Sequence, residues 1–387
     1  MRDLGASLNE RKQQSAYRQR FCVDSAPGRW LVVDGRRFLN FCSNDYLGLA
    51  DHPEVKQSFK QGIDQYGCGS GASQLVCGYS RAHQLLEQEL AAFVQMPRAL
   101  LFSTGYQANL GVLGLLLPKR SVVYEDRLNH ASLIDGARLA QTELQRYHHA
   151  DSADLERRLR QAASGQELVI ASDGVFSMDG DLAPLPSLGA LAQKYQAWLV
   201  LDDAHGLGVL GATGRGLIEQ CGLNPTTVSV LVGTFGKAFG TFGAFVAGSD
   251  DVIESLIQSA RSLIYTTAPP AAIACATRTS LKLIQRDPWR RDKLQENIAY
   301  LHTRLAERSL FVPSSTSAIQ PIVIGADVLA LKFSRYLYEQ GIFLSAIRPP
   351  TVPLGTARLR LTLSPVHEFS DIDQLVIALS QAFERLG

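Results

Sequence analysis

Short strand-like runs, most of them apolar and too brief for helices, recur along this chain at 99–102, 121–124, 144–146, 168–171, 198–201, 228–231 and 243–247, and helical periodicity fills most of the gaps between them. A run of that length bounded by turn residues reads as a buried strand. Alternation of such strands with helices yields an α/β fold with a mostly parallel sheet covered on both faces. Ligands of such sheets sit at the carboxyl ends of the strands. Two strand ends here carry chemistry. Asp202-Asp203-Ala204-His205 follows Trp198-Leu199-Val200-Leu201, and Thr234-Phe235-Gly236-Lys237 lies just beyond Val228-Ser229-Val230-Leu231-Val232. An acid, a histidine and a lysine thus converge on one place. Pyridoxal phosphate chemistry asks for this set: an amine to hold the aldehyde as a Schiff base and a carboxylate to keep the pyridine nitrogen protonated. Singly, each piece has a plainer reading. A lysine between glycines is usually a solvated turn residue, and paired aspartates after a strand usually cap a helix or a turn. Their joint placement favours the catalytic reading.

Composition narrows the field. The 387 residues are 46% hydrophobic and 19% charged, enough for two domains and a large core. A net charge of +1 implies no broad pull toward nucleic acid or an anionic membrane, so an anion site must come from local donors. The six cysteines have no C-x-x-C spacing, which argues against a zinc knuckle or redox pair, and they read as reduced thiols of a cytoplasmic protein. Residues 1–20 are polar and lack the apolar core of a signal peptide; as a helix they would place Leu4 and Leu8 on one face. No apolar stretch is long enough to predict a transmembrane helix.

Residues 28–41 alternate around Gly35 and predict a small hairpin, and the α/β pattern begins near residue 51. A helical stretch follows Pro270 and passes Pro288. Strands at 319–324 and 358–363 and helices at 326–340 and 370–385 then suggest a smaller α+β region. The division expected is an N-terminal arm and hairpin over 1–50, a large domain over 51–285 and a small C-terminal domain over 286–387.

Other segments carry candidate chemistry. Ser103-Thr104-Gly105-Tyr106 joins a strand to a helix, whose first N–H groups make an anion site, though a plain capped turn fits this piece equally. His130 either caps a helix or lies flat over a heteroaromatic ring. Asp173, Asp179 and Asp181 sit among glycines but lack the closing glutamate of a calcium loop, so no metal is expected. The glycine-rich stretch 67–73 has neither the ending of a P-loop nor the spacing of a dinucleotide fold. Arg358 and Arg360 share a face if their segment is a strand, and such a fork binds a carboxylate; a surface arginine on an edge strand is the plainer alternative.

Taken together, Ser43-Asn44-Asp45-Tyr46-Leu47-Gly48, Gly69-Ser70-Gly71, Gly78-Tyr79-Ser80 with His83, Asn129-His130-Ala131-Ser132, Val175-Phe176-Ser177-Met178-Asp179-Gly180-Asp181, Asp202-Asp203-Ala204-His205-Gly206 and Thr234-Phe235-Gly236-Lys237 resemble the α-oxoamine synthase family of pyridoxal-phosphate enzymes, of the aspartate-aminotransferase fold type (fold type I), over almost the whole length. The resemblance implies roles. Lys237 would hold the cofactor and remove the Cα proton, Asp202 would pair with the pyridine nitrogen, His130 would stack on the ring, and His205 with Ser177 would form a polar shell near the phenolic oxygen. Gly105, Tyr106 and Thr234 would meet the phosphate. Thr266 and Thr267 would reach the phosphate of a partner subunit, in a homodimer with shared active sites. Asn44 and Arg360 would take the amino-acid carboxylate, and Arg18, Arg348 and Thr351 the acyl side. Residues 346–353 with 355–360 most closely resemble the branch that joins L-alanine to a pimeloyl thioester, on CoA or acyl-carrier protein, in biotin biosynthesis. Other branches pair glycine with succinyl-CoA or acetyl-CoA, or serine with palmitoyl-CoA. Asp173 stands where many relatives have glutamate. A non-catalytic partner subunit of this family would lack the lysine, and an ordinary aminotransferase of this fold would lack the 177–181 and 348–350 segments.

Overall fold

Asp34 and Gly35 both take positive φ, 49° and 72°, as the two central residues of a tight hairpin turn matched to strand twist must. They join β1 (Trp30–Val33) to β2 (Arg36–Asn40) in antiparallel register, with Trp30 opposite Leu39. The computed structural model describes residues 3–13, 16–310, 313 and 315–386. They form two compact units, one of Leu49–Ser177 and Asp181–Arg291, the other of Met1–Gly48, Met178–Gly180 and Asp292–Gly387.

The first unit holds the apolar runs. They are β3 (Arg98–Phe102), β4 (Ser121–Asp126), β5 (Glu143–Tyr147), β6 (Glu167–Asp173), β7 (Trp198–Asp202), β8 (Val230–Thr234) and β9 (Ala244–Gly248), ordered β3-β9-β8-β7-β6-β4-β5. The five strands from β5 to β8 in that order are parallel, whereas β9 runs antiparallel to both neighbours. The reversal has a simple cause. A parallel crossover needs about a dozen residues or more, and the connection from Thr234 to Ala244 is shorter than that. The sheet remains mostly parallel, as the alternation of strand and helix predicts.

Helices cover it. α1 (Leu4–Gln13) belongs to the other unit and buries nothing; Leu4 and Leu8 are exposed, so the expected apolar face has no partner among the described residues. In the sheet's own unit, α2 (Pro53–Tyr66) starts on a proline, and its Gly62 lets the helix Ala271–Arg286 approach until a Cβ would lie 2.7 Å from Ala272 Cα. α3 (Arg81–Val94) is closed by a reciprocal cap between Ser80 and His83. α4 (Gly105–Leu116) and α5 (Ala131–Leu139) pack on one sheet face through Val112, Leu113 and Leu133 against Val123, Val169 and Val200. Those strand residues alternate with ones facing away, and the strand ends are left free to build a site.

The second unit is assembled from both chain ends. β10 (Ile319–Gly325), β11 (Ile342–Phe343), β12 (Ala346–Ile347) and β13 (Ala357–Thr362) form two small sheets, β10-β13-β12 and β1-β2-β11. β11 pairs parallel with β2, and Arg29 holds Asp371 at 2.6 Å and pairs with Glu368. Strand pairing, rather than order along the chain, therefore places residues 1–48 with 292–387. The division from the first unit falls at Arg291/Asp292, inside the helix Trp289–Glu307. No described helix is long and apolar enough to cross a membrane.

Asp203 anchors the loop that follows β7. Its side chain is fully buried, and Oδ2 accepts from Leu217 N at 2.7 Å. Any Cβ on Gly174, Gly206 or Gly216 would collide with its carboxyl group. Burial raises this carboxyl group from 3.8 to about 7. The folded state thus keeps a proton that the unfolded chain releases, and wild-type stability falls as pH rises from about 4 to 7. Asp203→Ala should cost about 1–3 kcal/mol by orphaning the Leu217 N–H. Asp203→Asn should lack the pH-dependent loss, so thermal unfolding should show its melting point gaining on wild type as pH rises through that window. A pH-independent difference would contradict the burial argument.

Candidate active site

Five strands of the first unit end toward one pocket of about 190 Å³. β7 delivers Asp202, and the turn after it delivers His205. β8 delivers Thr234, and the connection after it Lys237. β6 ends at Asp173 with Ser177 beyond, β4 leads to His130 at the head of α5, and β3 leads to Gly105 and Tyr106 at the head of α4. The convergence expected from the strand ends is thus present.

Asp202 is 7% exposed, and a carboxylate at that depth needs donors. Oδ1 accepts from Ala204 N at 3.1 Å and Oδ2 from Asn109 Nδ2 at 2.6 Å. His130 caps α5, its Nδ1 accepting from Ser132 N at 3.3 Å, and its ring meets Tyr106 edge-on with centroids 6.5 Å apart. Burial holds the His130 imidazole below its ordinary pKa, with Asp202 opposing that shift and Lys237 adding to it. At the head of α4, Thr104 Oγ1 takes the Gln107 N–H at 3.2 Å. The preceding helical N–H groups, of Gly105 and Tyr106, are those a bound anion would meet.

Asp173, the departure from the family pattern, has a clear task. Its Oδ2 accepts from His130 N at 2.8 Å, and its own N–H donates to Asn129 Oδ1 at 3.1 Å. Burial first, then the charge of Asp202, pushes its carboxyl group well above the usual range. The shorter acid thus holds the backbone from which the His130 ring projects. Sequence reasoning assigned no role to Asn109, Asn129 or Ser132. The one visible signal was Asn109, an amide on the buried side of a mostly apolar helix.

The remaining expected residues lie elsewhere. Thr266 and Thr267 are outside the pocket lining. Gln107 Nε2 donates to Thr266 Oγ1 at 3.5 Å, and Thr267 forms an isolated bridge with Ser73. In the second unit, Arg360 donates to Asn44 Oδ1 at 3.0 Å and to the Tyr46 hydroxyl at 3.2 Å. Arg358 is committed to Asp179 and to Thr356 O, so the two arginines do not act as one fork. Arg18, Arg348 and Thr351 line a separate cavity of about 370 Å³ in that unit. Among the described residues no cluster of acids, histidines and cysteines could hold a metal.

The donor set suits pyridoxal 5′-phosphate: one amine, a doubly hydrogen-bonded acid, an imidazole and a helix start on a single pocket. Comparison agrees. Residues 36–379 match the family described as aminotransferase class I and II. The chain is 54% identical over 380 residues to an 8-amino-7-oxononanoate synthase of Methylococcus capsulatus, covering 98% of both chains. It is 53% identical to one of Nitrosococcus oceani, covering 97% of this chain and 99% of the other. A serine palmitoyltransferase variant from S. paucimobilis, solved with a bound PLP–myriocin aldimine, superposes with a TM-score of 0.94 at 29% identity and full coverage of both chains. The chain belongs to the class I and II aminotransferase family, as a fold type I transferase that uses pyridoxal phosphate, and within it to the 8-amino-7-oxononanoate synthases.

His149 ties together the loops behind the pocket. Nδ1 lies 2.9 Å from Asp126 Oδ1 and Nε2 2.7 Å from Asp181 Oδ2, while the ring packs edge-on against Phe176, next to Ser177. Burial opposes the charge, but the two carboxylates outweigh it and raise the imidazole to about 10. A raised pKa stabilises fully below about pH 6.5, and that contribution fades as pH climbs toward 10. His149→Gln should cost about 1–3 kcal/mol near pH 6. The melting-point deficit against wild type should shrink steadily up to pH 10, and a constant deficit would contradict the doubly paired imidazolium.

Proposed function

We propose that this protein condenses L-alanine with a pimeloyl thioester, on CoA or acyl-carrier protein, to give 8-amino-7-oxononanoate, CO₂ and free thiol, working in the cytoplasm as a homodimer. The observation that carries the reading is the meeting of Lys237, Asp202, His130 and His205 on one pocket, in a chain about half identical to synthases of that name over nearly its full length.

When bound, pyridoxal phosphate supplies a ring that accepts the electron pair left on the amino acid's Cα. The residues divide the remaining work. The Lys237 amine would hold the cofactor and, when free of it, would take the Cα proton and later return one. Asp202, kept an acceptor by Asn109 and Ala204, serves the pyridine nitrogen. His130 would present its ring to the cofactor, and His205 and Ser177 would tune its polar edge. Gly105 and Tyr106 N–H groups and the Thr234 hydroxyl would hold the phosphate. Asn44 and Arg360 take the alanine carboxylate, while Arg18, Arg348 and Thr351 receive the acyl chain. Thr266 and Thr267 address the phosphate of the partner subunit. Exposed apolar side chains of the same unit, Val76, Phe242 and Tyr265, support a buried interface there.

Free-thiol release should be fastest, by kcat/KM, for L-alanine with a pimeloyl thioester when alanine, glycine and serine are crossed with pimeloyl, succinyl, acetyl and palmitoyl donors. A preference for glycine with succinyl-CoA, or serine with palmitoyl-CoA, would assign the chain to another branch. Shared sites have their own test. Lys237→Ala and the double variant Thr266→Ala/Thr267→Ala should each be inactive, and Lys237→Ala should lack the visible absorbance of the bound cofactor. Mixing them under conditions of proven subunit exchange should restore activity, because hybrid dimers contain one site with neither defect. No recovery would contradict shared sites.

A further inference from the structure

A hydrogen-bond path joins two of the pocket's groups through the protein interior. Asn109 Nδ2 donates to Asp202 Oδ2 at 2.6 Å and to Ser132 Oγ at 2.8 Å. Ser132 Oγ lies 2.7 Å from His130 Nδ1, and Ser132 N–H donates to that same nitrogen at 3.3 Å. Chemistry determines each proton on the path. Both Asp202 oxygens accept, Oδ1 from Ala204 N and Oδ2 from the amide, so the amide turns its NH₂ toward Asp202. The second N–H of that amide occupies a lone pair of the Ser132 hydroxyl, whose own hydrogen is left for His130. Nδ1 receives from both Ser132 groups, so it carries no hydrogen, and the neutral ring keeps its proton on Nε2. Asn109 and Ser132 are both 0% exposed, and Asn109 Oδ1 has no hydrogen-bond partner. The amide forgoes a bond at one end to hold this orientation at the other.

A second feature of the helices serves the same contact. A Cβ on Gly136 of α5 would stand 2.9 Å from Leu113 Cδ1 and 3.3 Å from Asn109 O of α4. Any larger residue at 136 would push apart the two helices that bring Asn109 to Ser132.

We propose that Asn109 and Ser132 are a positioning pair that holds Asp202 as a hydrogen-bond acceptor and His130 as its Nε2–H tautomer, so that one buried amide sets both groups. This rests on the reading that Asp202 and His130 address the cofactor. Ser132 lines the pocket beside His130, whereas Asn109 does not; each acts through the residue it holds. The expectation is therefore a change in the state of those residues and in turnover, with little change in the affinity for alanine.

In holoenzyme labelled with [¹⁵N]histidine, the ring nitrogens of His130, assigned by loss of signal in His130→Gln, should report a single Nε2–H tautomer. Ser132→Ala should mix the tautomers, and Ser132→Thr should restore one. Asn109→Leu should lower kcat roughly tenfold or more, as expected for loss of a hydrogen bond to a charged group. It should leave KM for alanine little changed and move the pH midpoint of the bound cofactor's visible band. Asn109→Ser replaces it if the leucine variant does not fold, with the same expectation. Gly136→Ala should give a milder form of both effects. An unchanged His130 tautomer in Ser132→Ala overturns the proposal, whatever the cofactor touches. A changed tautomer with an unmoved band in the Asn109 variants overturns it too, since the arm to Asp202 would be missing. Asp202→Asn separates the layers: an unmoved band there overturns the assignment of Asp202 itself.

Discussion

A buried carboxyl group that must find hydrogen-bond donors is the constraint on which the rest of this site depends. Asp202 is almost fully covered, and its oxygens need partners inside the protein. Two groups supply them, Ala204 N from the turn after its own strand and Asn109 Nδ2 from a helix ninety-odd residues earlier in the chain. The second contact dictates much of the architecture. α4 must start at the end of β3, must cross α5 closely, and must offer an amide from an otherwise apolar face. The mostly parallel sheet provides the frame, because its parallel strands deliver their ends, and the helices that follow them, to the same edge.

The neighbouring acids show how far position outweighs residue type. Asp202 is the last residue of β7 and Asp203 the first beyond it. One faces the pocket. The other is enclosed by glycines and receives the Leu217 N–H, with its proton retained up to about pH 7. The acid-rich stretch from 173 to 181 divides in the same way. Asp173 holds the His130 backbone, Asp179 pairs with Arg358 in the second unit, and Asp181 meets His149. An apparent cation loop is instead three unrelated anchors, each matched to a donor remote in sequence.

Most inner strands of the central sheet were legible because burial on both faces leaves an apolar run, and their carboxyl ends were legible because Gly, Asp and Lys follow at once. The hairpin at Asp34-Gly35 was legible from its turn chemistry. What escaped was set by partners far along the chain. Nothing local marks β9 as antiparallel, although the shortness of its connection explains it. β11 and β12 are two residues each and have no periodicity to read. The pairing of β11 with β2 that unites the chain ends was equally hidden. At the pocket, the lysine, acid and histidines announced themselves as titratable groups at strand ends. Asn109 and Ser132 did not, because a neutral side chain inside a helix looks like filler until its neighbours are known.

The central proposal is that Asp202 keeps the cofactor's pyridine nitrogen protonated, and it can be read directly by ¹⁵N NMR on enzyme reconstituted with pyridoxal phosphate labelled at that nitrogen. Wild type should give the shift of a protonated ring nitrogen at neutral pH, and Asp202→Asn that of an unprotonated one. An unprotonated signal in wild type, or a protonated one that survives Asp202→Asn, would contradict the account.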